Sequence, residues 1–288
     1  MLSLGGSYKY PNGWRDDIIV FFGGWIADHY TNMKLFLDWY YHLMEINIHF
    51  SDILKNGCCF AILLSKNRNC ENGLISNHDY VLLDIINFGD VDSSETVNRF
   101  VIRNPHRKNP ALINSLEFNS EKFVNFSKDK GDFCVSLDEL CENFSSISIA
   151  WCPSLFKFCK VFPFKVLFED KHLFLLEKAK HQFIWIQLHR HIQKELNVQK
   201  QKKFPLYTLK LIRHNDNFGS IYLDNNYAYS NHNTQLFKIC GNYEGNYTMY
   251  ISLLHHSIHK EFSPLLKNNF FTIRIFSNHE IKINKILN

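Results

Sequence analysis

The spacing of apolar positions divides the chain into two textures. From Met33 to Ile48 apolar and aromatic residues recur at helical intervals, with Leu35, Trp39, Leu43 and Ile46 at i, i+4, i+8 and i+11. This predicts a helix with those four residues on one face. A short helix ending near Asn56-Gly57 follows, then a strand from Cys59 to Ser65. Two further strand-like runs occupy roughly 74–104, with the polar stretch Gly89-Asp90-Val91-Asp92-Ser93-Ser94 between them, which reads as a hairpin. Residues 106–131 are polar and rich in Asn and Lys, and are expected to form an exposed excursion with one helical turn or two. A strand is expected to begin at Cys134-Val135-Ser136-Leu137. Ser136 and Glu139 have the Ser-x-x-Glu spacing of a capping box, which predicts a short helix to about Phe144. Ile147 to Trp151 reads as one more strand.

After Pro153 the pattern changes to short strand-like runs separated by Asn, Gly and Asp turns. They are Val161 to Phe168, Gln182 to Leu188, Tyr207 to Arg213, Thr234 to Ile239, Asn246 to Leu254 and Phe270 to Phe276. Strands at this spacing predict an antiparallel sandwich. The basic stretch Gln199-Lys200-Gln201-Lys202-Lys203 reads as a loop within it. The fold class expected for the whole is α+β, with the first half a sheet carrying short helices and the second half all β.

Composition narrows the function classes. The 288 residues are 45% hydrophobic, enough for two domains with their own cores. A net charge of +4 is spread along the chain and does not form the concentrated basic stripe of a nucleic-acid binder, so no nucleic-acid partner is expected. None of the eight cysteines forms a C-x-x-C pair, and most sit among apolar neighbours, as reduced core cysteines do. No secretory signal is read at the N-terminus. The longest apolar run, Ile18 to Ala27, is too short to span a bilayer. A soluble, intracellular, cytoplasmic protein is expected.

The hairpin carries the candidate chemistry. The midpoint between His78 and Asn104 falls at position 91, inside the polar turn, so antiparallel pairing makes these two residues neighbours. A histidine oriented by an asparagine carboxamide is the base half of a thiol-protease site. With 15 histidines in the chain, a chance structural meeting of the two is the competing reading. Three other groups read as structural. His189 and His191 flank Arg190 at strand spacing and are expected to be surface imidazoles. His255, His256 and His259 form H-H-x-x-H with only Glu261 nearby, and no metal site is expected there. Cys58 and Cys59 open an apolar strand and are expected to pack in a core.

Several segments resemble the calpain family of papain-like cysteine proteases. Gly73-Leu74-Ile75-Ser76-Asn77-His78-Asp79-Tyr80-Val81-Leu82-Leu83-Asp84 resembles the strand that carries the calpain catalytic histidine. Val101-Ile102-Arg103-Asn104-Pro105 resembles the R-N-P-W motif of the catalytic asparagine, with His106 in place of its Trp. Gly131-Asp132-Phe133-Cys134-Val135-Ser136 is similar to the family's G-E-F-W-M-S segment. Gly5-Gly6-Ser7-Tyr8, Phe22-Gly23-Gly24-Trp25 and Trp151-Cys152-Pro153-Ser154-Leu155-Phe156 resemble further family phrases, the last a domain junction. Phe271-Thr272-Ile273-Arg274-Ile275-Phe276-Ser277 resembles the last strand of a calpain C2-like domain. The order and spacing are most similar to those of atypical calpains lacking EF-hand domains.

The resemblance implies a second protease subdomain at 1–155, with a barrel-like antiparallel sheet and short helices, followed by a C2-like β-sandwich at 156–288. It implies His78 as general base and Asn104 as its orienting residue in a Cys-His-Asn triad, with protein substrates. Calcium is implied by the family alone, and no other cofactor is evident. The family's Q-x-x-x-G-x-C-W segment, which bears the nucleophile, has no match. The cysteine is therefore expected from a separate or missing segment, supplied in trans if on another chain. The alternative is a catalytically inactive homologue whose C2-like domain binds a protein or a phospholipid surface.

Overall fold

A computed structural model describes residues 24–45, 49–67, 74–89, 96–106, 131–166, 172–178, 183–191, 207–215, 219–222, 234–239, 244–253 and 269–286. Residues 107–130 of the expected excursion at 106–131, the basic stretch at 199–203 and the H-H-x-x-H cluster lie outside them. So do Gly5 to Gly23, with the phrase Gly5-Gly6-Ser7-Tyr8 and the first half of Phe22-Gly23-Gly24-Trp25. The fold is α+β in class and mostly antiparallel sheet. Two compact units divide it, one of Asp28–Cys152 and one of Pro153–Asn288 with Met1–Ala27.

The first unit is built on a six-stranded sheet in the order β1-β6-β2-β3-β4-β5. The strands are β1 (Ile26–Tyr30), β2 (Cys59–Ser65), β3 (Asp79–Gly89), β4 (Thr96–Arg103), β5 (Asp132–Val135) and β6 (Phe144–Trp151). The sheet is open, with β1 and β5 at its edges, so the barrel-like form expected of it is not closed among the described residues.

Helix α1 (Met33–Glu45) starts where Asn32 Oδ1 accepts the Lys34 N–H at 2.7 Å, an N-cap bond. Its buried face is Met33, Phe36, Tyr40 and Leu43, whereas Leu35 is exposed. Of the expected stripe, Leu43 is buried and Trp39 is partly buried, only Leu35 faces solvent, and Ile46 lies outside the described residues. Apolar residues run almost all round this helix, so periodicity alone does not select the face; the ring packing does. Phe36 and Tyr40 lie 6.0 Å apart, Tyr40 reaches Phe100 of β4, and Trp39 and Phe50 both pack against Trp151 of β6. The Trp151 indole N–H donates to buried Asp28 Oδ2 at 3.1 Å, which gives that carboxylate a partner away from water.

Helix α2 (Phe50–Lys55) ends as the sequence predicts. Gly57 takes φ +67°, its N–H bonds to the Leu54 carbonyl, and the Cys58 N–H bonds to the Ile53 carbonyl. This double closure turns the chain straight into β2. Helix α3 (Leu137–Asn143) begins with the expected capping box: the Ser136 hydroxyl accepts the Glu139 N–H, and the Glu139 carboxylate accepts the Ser136 N–H at 2.7 Å. Ser136 is therefore a cap and not part of a strand, and β5 stops at Val135. Ser136→Ala removes one side of this box. It is expected to lower unfolding free energy by about 1 kcal/mol, read from urea denaturation midpoints at constant slope.

The second unit holds two antiparallel sheets around one core. One has the order β11-β10-β13-β8-β15, the other β12-β9-β14-β7. The strands are β7 (Phe158–Val166), β8 (His172–Lys178), β9 (Ile184–Arg190), β10 (Tyr207–Asn215), β11 (Gly219–Tyr222), β12 (Thr234–Ile239), β13 (Gly245–Leu253), β14 (Asn269–Ser277) and β15 (Lys282–Ile286). Alternate residues from both sheets, among them Phe174, Leu176, Ile186, Met249, Ile251 and Ile273, form the shared core. Pro163 sits in β7, an edge strand, where a residue without an N–H is tolerated. The expected strands are all present, and β8, β11 and β15 are added to them. β11 and β15 are short, and β8 opens with a histidine, so their patterns stand out weakly.

His189 is not the surface imidazole expected of it. It is buried, and its Nδ1 lies 2.9 Å from Thr234 Oγ1 of the paired strand β12. His191, next on the same side, is exposed and bonds Thr272 Oγ1 at 2.7 Å. Cys59 is buried as expected, and burial pushes its thiol up to about 12, whereas Cys58 precedes β2 and is only half-buried.

Candidate active site

His78 immediately precedes β3, and Asn104 immediately follows β4, so the hairpin brings them to the same end of the sheet. The register is not the one expected. Val81 faces Arg103 and Leu82 faces Ile102, after which a bulge shifts the ladder so that Asp84 faces Val101. Carried outward, this register sets His78 opposite His106, with Asn104 on the diagonal. The diagonal is nonetheless within reach, and His78 Nε2 lies 3.1 Å from Asn104 Oδ1.

Asn104 is fully buried, and its position is fixed on both sides. Its N–H donates to the Gly131 carbonyl at 3.0 Å, and Gly131 adopts φ +82°, a conformation that favours glycine. Beside it, Arg103 clamps Asp132 through a fork of two bonds, at 2.6 and 2.9 Å, tying the end of β4 to the start of β5. The carboxamide oxygen also accepts the His106 N–H at 3.0 Å.

That last bond assigns the proton on His78. A backbone N–H can only donate, so the atom it meets must be the carboxamide oxygen and not the nitrogen. An oxygen cannot donate, so His78 Nε2 must carry the hydrogen it shares with Asn104. In the neutral ring the basic lone pair is then on Nδ1. Among the described residues Nδ1 has no hydrogen-bond partner.

The imidazole is held by its neighbours as well. Tyr80, fully buried beneath Phe133 and Phe144, meets the ring edge-on at 5.0 Å. The ring of His106 lies over it at 4.9 Å and 31°. An imidazole thus fills the place where the R-N-P-W motif has its Trp. The backbone of His78 is gripped from β2: the Ser65 hydroxyl accepts the His78 N–H at 2.8 Å, and the Ser65 N–H donates to the His78 carbonyl at 3.0 Å. Asn77, just before, takes φ +52°, which Asn tolerates better than most residues.

The structure therefore brings both predicted residues together. Ser65 and the Asp132–Arg103 fork are the contributors that sequence reasoning passed over. Gly131, Asp132 and Tyr80 lay inside the segments that resemble calpains, but Ser65 had no signal beyond its place at the end of a strand. Among the described residues, no three His, Cys, Asp or Glu side chains cluster as a metal site would require, and no helix is long and apolar enough to cross a membrane.

Fold and pair together define a sheet protein bearing a carboxamide-oriented imidazole. No family model matches the chain. Over 224 residues, 70% of its length, the chain is 25% identical to "Calpain-like protease palB/cpr-8" of Neurospora crassa, of which it covers 22%. Over 163 residues, 53% of its length, it is 23% identical to "Calpain-7" of Homo sapiens, covering 20% of that protein. It is 25% identical over 167 residues to "Calpain-like protease palB" of Emericella nidulans, covering 18%. The chain thus spans about a fifth of the length of the curated relatives it matches. These matches relate the chain to the calpain family.

Proposed function

We propose that the chain is the His/Asn half of a calpain-type cysteine endopeptidase, joined to a C2-like sandwich, and that it serves limited intracellular proteolysis. The observation that carries this reading is the bond between His78 Nε2 and Asn104 Oδ1, which leaves Nδ1 as the basic nitrogen. A thiol placed against Nδ1 gives up its proton to the ring. The thiolate attacks the peptide carbonyl, and the imidazolium then protonates the leaving amine. Asn104 keeps the ring in one orientation throughout without adding charge.

The thiol comes from a Cys-bearing subdomain on a longer form of the protein or in trans. Calcium dependence rests on the family alone, and no step is routed through the metal. The departure at His106 favours the second reading, an inactive homologue binding a protein or a phospholipid surface through the sandwich.

The two readings separate in a peptidase assay on the longest transcript product that contains this chain, run with calcium and with a chelator. Peptide cleavage that calcium switches on supports the endopeptidase. A correctly folded product that cleaves nothing in either condition leaves the binding role.

A further inference from the structure

The turn that delivers His78 is built around a side chain from another strand. Ile75, Ser76, Asn77 and His78 form a reversal in which a β-turn would ordinarily bond the Ile75 carbonyl directly to the His78 N–H. Here the Ser65 hydroxyl stands between them. It donates to the Ile75 carbonyl at 2.6 Å and accepts the His78 N–H at 2.8 Å. Its alternative acceptor, the His78 carbonyl, is farther away at 3.2 Å. Ser65 itself is buried, at 1% exposure, and sits where the β2–β6 ladder shifts register, between Leu64 and Ser65.

From this geometry we infer that Ser65 is a positioning residue for His78: its hydroxyl props the turn open by one oxygen and so sets the reach of the imidazole to Asn104. The argument is one of distances. A hydroxyl inserted between a donor and an acceptor holds them apart by two hydrogen bonds in place of one. Remove the oxygen, and the two partners lose the group that joins them and regain a bond within the turn by closing on each other. Closing draws the His78 backbone toward Ile75. One tie resists this and survives loss of the hydroxyl: the Ser65 N–H donates to the His78 carbonyl at 3.0 Å, so the carbonyl side of His78 stays on β2 while its N–H side turns toward Ile75. The Ile75 N–H is held by the Tyr80 hydroxyl at 2.8 Å, and the Asn77 N–H by the Lys66 carbonyl at 3.3 Å, so both fix the early part of the turn. The carboxamide it must meet cannot follow, because Asn104 is anchored to Gly131 and to the His106 N–H. The Nε2–Oδ1 bond is therefore what gives way.

The inference deepens the reading of His78 as general base and rests on it for its catalytic meaning, but its geometric core is measurable without catalysis. The test compares the chain as wild type, Ser65→Ala and Ser65→Cys by nitrogen-resolved NMR of the histidine side chains. The wild type is expected to show His78 protonated at Nε2 and protected by Asn104. Ser65→Ala is expected to lose that protected signal, and Ser65→Cys, which keeps the volume with a longer and weaker bridge, to weaken it. Amide signals of Leu63 and Tyr80, paired across β2 and β3, report that the sheet is intact. In the longest transcript product, Ser65→Ala is expected to lower kcat by about tenfold with KM unchanged, as displacement of a reacting group does. An unchanged Nε2 signal in both variants overturns the inference and leaves the base role standing. Loss of the signal in Ser65→Ala, together with full activity of His78→Ala, upholds the positioning and removes the base role instead.

Discussion

His78→Ala in the longest transcript product is expected to lower kcat/KM for a peptide substrate by about a thousandfold or more, the scale on which a positioned general base contributes. The imidazole has two tasks that no neighbour can take over. It accepts the thiol proton at Nδ1 and returns it to the leaving amine. His106 is the nearest substitute, but its ring lies tilted at 31° over that of His78, 4.9 Å away, and is not held by the carboxamide side chain. Asn104→Ala should follow at about a hundredfold, because the base is still present and only its placement is lost. It should also cost about 1–3 kcal/mol of stability, since the His106 N–H and the His78 Nε2–H lose their shared acceptor. The comparison to make is kcat/KM for both variants at fixed calcium, with urea unfolding of each. Equal activity of wild type and His78→Ala would remove the base role, and with it the endopeptidase reading of this hairpin.

What was legible in the chain follows from how local each signal is. The capping box at Ser136 and Glu139, and the glycine stop at Gly57, are decided by bonds within five residues, and both stand as read. The strands of the sandwich were readable because alternation is a property of each strand alone. Their assignment to two sheets was not, since it depends on pairings such as β7 with β14, between residues more than a hundred positions apart. The face of α1 was placed only in part, with exposed Leu35 counted in and buried Phe36 and Tyr40 left out, for a related reason. Its sequence is apolar on nearly every side, and only the rings of Phe100 and Trp151, brought in by distant strands, select the face to bury.

The candidate site shows the same division. His78 and Asn104 were found by counting outward from a turn, although the count took position 91 as its centre, whereas the ladder beside the turn pairs Gly89 with Thr96, and so gave the wrong register. The pair survives the error because a carboxamide and an imidazole are long enough to meet on the diagonal. Ser65 could not be found by counting. A serine at the end of an apolar strand looks like a boundary residue, and its hydroxyl acquires a role only when residues 75–78 fold back onto it.

His189 was misread because strand alternation marks which residues share a side, not whether that side is covered. The consequence is the largest stability effect expected outside the hairpin. Burial, followed by the nearby positive charges of His191, Arg274 and Arg190, lowers its titration from 6.5 to about 4. The folded protein therefore binds fewer protons at this site than the unfolded chain between pH 4 and 6.5, so stability rises with pH across that window. The stabilisation is fully present above the unfolded value and is lost as pH falls toward the folded one. At 1.36 kcal/mol per pH unit the whole window amounts to about 3 kcal/mol, a large part of a domain's stability. Screening does little to reduce it, since the imidazole is only 3% exposed. Amide exchange along the β9–β14 ladder, at Leu188 and Ile273, reports opening of this sheet. Between pH 7 and 4.5 the opening free energy should fall steeply in the wild type. In His189→Gln, which retains a polar group beside Thr234 but cannot take up a proton, the fall should be smaller by most of that amount. Parallel curves for the two proteins would mean that this imidazole is already charged, or already in water, in the folded state.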